Sequence, residues 1–151
     1  MHSRTPPNTL DFLLAQVCHL HHHRVFDLLE SLGLYRGQPP VLGALWEQEG
    51  LTHSELAKRL QNTPATITKM LQRMEKAGFI VRRPDPDDQR VSRVYLTEAG
   101  RAIQAQVEQV WQTMEIETFA GFSPEEQVVL RSFLTRLRDN LEKVMEEKKF
   151  S

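Results

Sequence analysis

Apolar residues recur at helical spacing along most of the chain. Between 64 and 77, Ile67, Met70, Leu71 and Met74 fall on one side of a helical wheel, and Ala65, Thr66, Thr68, Lys69, Gln72 and Arg73 on the other. Val129, Phe133, Leu134, Leu137, Leu141, Val144 and Met145 form a second stripe, and Ile103, Val107, Val110, Trp111 and Met114 a third. The stretch from Leu13 to Leu32 is apolar over much of its circumference. Starts and stops are marked. Thr52-His53-Ser54-Glu55 and Ser123-Pro124-Glu125-Glu126 are capping boxes, and Thr63-Pro64 is a third start. Gly33, Gly50, Gly78 and Gly121 follow amphipathic stretches, where a left-handed cap favours a residue without Cβ. The pattern predicts helices near 9–32, 39–49, 53–61, 64–77, 97–120 and 124–148.

Two short β-prone runs, Ile80 to Arg83 and Val91 to Leu96, flank the polar tip Pro84-Asp85-Pro86-Asp87-Asp88-Gln89-Arg90, which predicts a hairpin. The fold class is therefore mainly α with one small β-hairpin. A 25-residue helix spans about 37 Å, more than a compact domain of this size needs. The apolar stripes of the first and last helices then need a partner, and a second copy of the chain is the economical one.

Composition narrows the classes. At 151 residues the chain suits one domain, and 40% hydrophobic with 26% charged residues describes a folded chain rather than a disordered one. No apolar run exceeds four residues, far short of the roughly 18 that cross a membrane. The N-terminal residues lack the apolar core of a secretory signal, and the lone Cys18 can form no disulfide within the chain. A cytoplasmic protein is expected. The net charge of −1 speaks against a nucleic-acid binder until it is resolved along the chain. Residues 1–50 carry −2 and residues 102–151 carry −3, whereas residues 51–101 carry +4. The basic residues are concentrated in the middle.

That middle segment holds the candidate chemistry. A short helix from Thr52, the connection Gln61-Asn62-Thr63 and a second helix from Thr63-Pro64 make a helix-turn-helix pattern, whose second helix enters the major groove of DNA. Thr and Ala can meet thymine methyls, Gln suits adenine, and Lys or Arg suits guanine or phosphate. A solvated helix face has a similar composition, so the hairpin decides. Arg82, Arg83, Arg90 and Arg93 surround its loop, and Asp88 stands two residues before Arg90, where a carboxylate can hold the arginine ready for a narrow minor groove. Asp87 and Asp88 also serve as turn residues.

Thr66 to Ile80, the run Asp85-Pro86-Asp87-Asp88-Gln89-Arg90, and Leu96-Thr97-Glu98-Ala99-Gly100-Arg101 together resemble the MarR family of bacterial regulators. The flanking helices fit as well, so the resemblance covers nearly the whole chain. It implies one domain over 1–151, with dimerisation helices at 9–36 and 102–148 and a winged helix-turn-helix DNA-binding lobe at 37–101. It also implies a homodimer that represses genes from pseudo-palindromic operators in double-stranded DNA. Ala65, Thr66, Thr68, Lys69, Gln72 and Arg73 are the base- and phosphate-facing candidates of the second helix. Asp88, Arg90 and Arg93 are those of the wing, and Ser54 matches a phosphate-contacting position.

Members of the family commonly answer to a phenolic or lipophilic effector, which the resemblance places near Tyr35, Trp46 and Trp111, with Phe26 and Met114 from the same segments and Arg36 at the mouth of the cleft; as a stripe of aromatics these residues read equally as ordinary core. Others use an oxidisable cysteine or a metal. Cys18 reads either as a small core residue or as a sensing thiol. His19, His22 and His23 share one helix face; two of them could ligate a metal, but a site needs a third ligand, so a polar helix face is the plainer reading and no metal or other cofactor is expected. A winged helix can also serve as a protein-interaction module, a reading its basic wing disfavours. No nucleophile elbow, phosphate-binding glycine loop or His-Glu-x-x-His pair is present, so no enzyme is expected.

Overall fold

The computed structural model describes residues 8–35 and 37–149. The elements run α1 (Leu10–Glu30), α2 (Gln38–Glu47), β1 (Leu51–Thr52), α3 (His53–Arg59), α4 (Pro64–Ala77), β2 (Ile80–Pro84), β3 (Ser92–Leu96), α5 (Glu98–Thr118) and α6 (Pro124–Lys149). Each of the six anticipated helices and both hairpin strands are present. The chain divides into two units, Met1–Met114 and Glu115–Ser151. The first holds the sheet and α1 to α4 with most of α5, and the second holds α6.

Helix starts follow their caps. Thr52 Oγ1 accepts from the Glu55 amide while Glu55 Oε2 accepts from the Thr52 amide, each at 3.1 Å, and Ser123 and Glu126 repeat the exchange at 3.1 and 2.9 Å. Thr63 Oγ1 accepts from the Thr66 amide at 3.2 Å to open α4. Gly78 closes that helix at φ +88°, and the Phe79 amide reaches back to the Met74 carbonyl at 3.0 Å.

The sheet has one strand more than the sequence predicts. Its order is β1-β3-β2, all antiparallel; Leu51 and Thr52 pair with Val94 and Arg93, and Ile80 to Pro84 pair with Leu96 to Ser92. Two residues have no period to read, and the capping box that starts at Thr52 hides β1. Only β3 arriving alongside makes it a strand.

The core of the first unit is apolar and continuous. Leu34, Val41, Leu42, Leu45, Leu56, Ile67, Leu71, Met74 and Val94 are fully buried, so the apolar face of α4 is held against α3 and β2 in a core to which α2 also contributes. Burying one such side chain contributes about 2 kcal/mol, which fixes α4 in rotation about its axis. Its opposite face is thereby committed to solvent. By contrast, Leu10, Leu13, Val17 and Leu20 of α1 and Val129, Phe133, Leu137, Leu141 and Val144 of α6 remain exposed.

Candidate nucleic-acid interface

Three of the four residues expected to anchor α4, namely Ile67, Leu71 and Met74, are fully buried, and Met70 is half-buried. Ala65, Thr66, Lys69, Gln72 and Arg73 are exposed on the other face. Lys69 and Arg73 make no ion pair among the described residues, which leaves both charges available to a ligand. Ser54 is exposed in the first turn of α3. Thr68 differs from its neighbours: it is half-buried, and its Oγ1 lies 3.4 Å from Nδ1 of His53.

The four arginines of the hairpin divide by role. Arg90 stands at the tip with its side chain 91% exposed, and Asp88 holds it three ways. Asp88 Oδ1 accepts from the Arg90 amide and from Nε, each at 3.1 Å, and Oδ2 accepts from Nη2 at 3.4 Å. This is the pose anticipated from the Asp-x-Arg spacing, in which side-chain freedom is restricted before any partner arrives. Arg83 lies 5.7 Å from the centroid of the Tyr95 ring, within cation–π range. Arg82 turns back to α4, where its Nε and Nη2 donate to Glu75 at 3.1 and 2.9 Å and tie the wing to the helix. Arg93 turns to the base of the hairpin, donating from Nε to Asp85 Oδ2 at 2.5 Å and from Nη1 to the Gly50 carbonyl at 2.7 Å. Counting arginines from sequence treats four side chains alike; the structure uses Arg82 and Arg93 to position the wing and leaves Arg90 outward.

Asp85, which composition reads as a turn residue, proves to be the organiser of the loop. Its Oδ1 accepts from the Asp87 and Asp88 amides at 2.7 and 3.2 Å, and its own amide donates to the Val91 carbonyl at 2.8 Å. Arg93 above all, then the Asp87 and Asp88 amides, hold its carboxyl below the usual carboxylate range. Glu75 is lowered by Arg82, and Glu49 by the Leu96 amide and Arg101. A carboxyl whose folded pKa is depressed contributes stability above its unfolded pKa of about 4 and loses it as pH falls through the folded value. Melting temperature should therefore drop on acidification below about pH 4, and Asp85→Asn should flatten part of that drop. Thermal melts of both proteins across that range check this, and parallel curves would remove Asp85 from the account.

The four effector candidates do not converge. Trp46 and Trp111 line a cavity of about 560 Å³ with Phe26, Pro39 and Pro40. Tyr35 instead lines a separate cavity of about 750 Å³ against Thr66, Lys69, Met70 and Arg73 of α4. Arg36 lies outside the described residues. Gly37 lines both cavities; it takes φ +87° and seats the Met70 methyl where a Cβ would stand only 2.5 Å away, while Trp46 is anchored by its indole N–H, which donates to the Gly100 carbonyl at 2.9 Å.

On α1, the His19 and His23 rings meet edge to face at 4.5 Å and His22 meets Phe26 at 4.8 Å. Among the described residues no three His, Cys, Asp or Glu side chains come together as a metal site. Cys18 is exposed, so in this chain it is not the core residue that one reading of the sequence expects. Among the described residues no helix is long and apolar enough to cross a membrane.

A helix-turn-helix whose second helix turns a polar, cationic face outward, beside a two-stranded wing with an arginine at its tip, defines a winged helix-turn-helix regulator. The MarR family model matches residues 34–92. The HTH-type transcriptional regulator TtmR of Methylorubrum extorquens is 30% identical over 142 residues, spanning 91% of this chain and 72% of that protein. Transcriptional regulator AdcR of Streptococcus pneumoniae is 31% identical over 132 residues, spanning 85% and 89%. Among solved structures, an S. aureus MepR mutant bound to an oligodeoxyribonucleotide superimposes with a TM-score of 0.66 at 28% identity, covering 88% of this chain and 98% of that one. The chain belongs to the MarR family of winged-helix transcriptional regulators.

Proposed function

We propose that the chain acts as a homodimeric, sequence-specific repressor that occupies pseudo-palindromic sites in double-stranded DNA near the genes it controls and answers to a small aromatic or lipophilic effector. The observation that carries this reading is the pairing of two outward features, the exposed Lys69 and Arg73 on α4, which make no ion pair among the described residues, and the Asp88-held Arg90 at the wing tip. Lys69 and Arg73 suit phosphates or guanine edges, Gln72 suits adenine, and Ala65 and Thr66 suit thymine methyls. Ser54 adds a phosphate contact from α3, and Arg93 supports the wing from its base. The MepR structure with bound oligodeoxyribonucleotide supports the nucleic-acid partner.

The exposed apolar stripes of α1 and α6 support the dimer, since water-facing rows of this length on two helices are the mark of an interface. The cavity beside Trp46 and Trp111 has the size and apolar lining of a small-molecule site. A footprint on a duplex selected by the protein from a random-sequence pool tests the whole reading. Two protected half-sites about one helical turn apart are expected. A single unsymmetrical footprint would overturn the dimeric arrangement, and failure to enrich any sequence would overturn the DNA-binding reading.

A further inference from the structure

The half-buried Thr68 has a partner that the helix-turn-helix pattern does not require. His53 is the first residue of α3 and Thr68 lies in the second turn of α4, so their contact joins the two helices of the motif. The ring nitrogens of His53 are in unlike surroundings: Nδ1 lies 3.4 Å from Thr68 Oγ1, while Nε2 is buried with no hydrogen-bond partner among the described residues. Burial first, and then the Arg82 guanidinium, push the His53 pKa down, so the ring is neutral at pH 7 and carries one proton.

That proton has two possible seats. On Nε2 it would be a buried N–H with no acceptor, a rarer arrangement in folded proteins than a buried acceptor with no donor. On Nδ1 it donates to Thr68 Oγ1. The second arrangement occupies a lone pair of the threonine oxygen and leaves the hydroxyl proton free to point elsewhere. Its side chain starts from the same helix as the exposed Lys69 and Gln72, one residue before the former.

We infer that His53 is a specificity-determining positioning residue, which sets the Thr68 hydroxyl as a hydrogen-bond donor toward an acceptor on the edge of an operator base, either purine N7 or O6 or thymine O4. This rests on the DNA-binding reading above. The threonine would otherwise be ambivalent, because a hydroxyl serves amine and carbonyl edges alike. A fixed polarity removes half of that ambiguity without His53 touching the DNA. The base-edge code separates the two cases: a donor reads N7, O6 or O4, whereas an acceptor reads the exocyclic amines of adenine or cytosine.

The test selects duplexes from a random-sequence pool with the wild type, Thr68→Val, His53→Ala and His53→Asn, and compares base preference position by position. Thr68→Val and His53→Ala should flatten preference at the same operator position, and the double variant should lose no more than either single one. His53→Asn keeps a side-chain N–H close to the place of Nδ1 and should retain the preference. At that position the wild-type consensus duplex is then remade without the acceptor, with a 7-deazapurine lacking N7, 2-aminopurine in place of guanine to remove O6, or a pyrimidinone lacking O4. The deletion should weaken wild-type binding by about fivefold to tenfold and leave Thr68→Val unaffected. A purely structural His53 would alter melting temperature without moving base preference.

Unchanged preference in both His53→Ala and His53→Asn overturns the inference, as does a lost preference that tracks an exocyclic amine. If His53→Ala does not fold, the acceptor-deleted duplex with the wild type and Thr68→Val still decides the polarity, and His53→Leu, which keeps side-chain volume but offers no N–H, decides the role of the ring: a lost preference supports it and a retained one overturns it. A wild type that enriches no sequence at all overturns the DNA-binding reading, an outcome distinct from one in which sequences are enriched but Thr68 is silent.

Discussion

Gly100→Ala should destabilise the first unit by at least about 3 kcal/mol, a loss on the order of 10 °C in Tm for a chain of this size. A Cβ at this position would stand 2.1 Å from the Phe79 carbonyl oxygen and 3.1 Å from Leu96 Cδ2. The obstacle is backbone, and it cannot withdraw. The Phe79 carbonyl accepts from the Thr97 amide at 3.0 Å, and Thr97 Oγ1 donates to the Gly78 carbonyl at 2.5 Å while accepting from the Gly100 amide at 3.1 Å. The end of α4 and the start of α5 are thus joined through the residues that a methyl group would force apart. Gly78→Ala is the useful contrast. Its φ of +88° strains an alanine, but no atom lies within 4 Å of the new Cβ, so a cost of about 1 kcal/mol is expected. Thermal or urea melts of the two variants check the difference, and equal losses would mean that the Phe79 carbonyl yields to the new methyl group at little cost.

The second large effect concerns DNA. Lys69→Ala and Arg90→Ala should each weaken binding to the selected duplex by on the order of 30-fold to 150-fold, since in the proposed homodimer each substitution removes two contacts of about 1 to 1.5 kcal/mol. The slope of log affinity against log salt should become shallower by about two for each variant, one per lost phosphate contact in each half-site. Folding should be untouched. Both side chains are exposed, and an exposed pair such as Arg90 with Asp88 contributes little to stability. Salt titrations of binding, with melting curves as a control, measure both quantities. Wild-type affinity and slope in both variants would remove α4 and the wing tip from the interface, and a slope change of about one would favour a monomer on the DNA.

These two effects differ in how far they can be read from residues alone. The cationic face of α4 is visible in the spacing of Ile67, Leu71 and Met74, because a helix that buries those positions must expose Lys69, Gln72 and Arg73. The Asp88–Arg90 hold is visible for a similar reason: two residues of separation at a tight turn suffice to bring carboxylate and guanidinium together. Both are local relations. Gly100 gives no such sign, since its neighbours 98–101 read as an ordinary helix start and the crowding comes from Phe79, twenty-one residues earlier in the chain.

The division extends through the rest of the molecule. Helix starts at Thr52, Thr63 and Ser123, stops at Gly78 and Gly121, and the hairpin between Ile80 and Leu96 follow from contacts within a few residues, and the sequence by itself determined them. It also determined that the basic charge lies between two acidic ends. Only the tertiary structure decided that Leu51 and Thr52 form a strand, that Arg82 and Arg93 serve Glu75 and Asp85, that Tyr35 and Trp46 line different cavities, and that His53 meets Thr68. The physical reason is the range of the interaction. Caps, turns and amphipathic faces are set by residues one to four apart, whereas a side chain's partner among several equal candidates is chosen by packing across elements, and no local pattern records that choice.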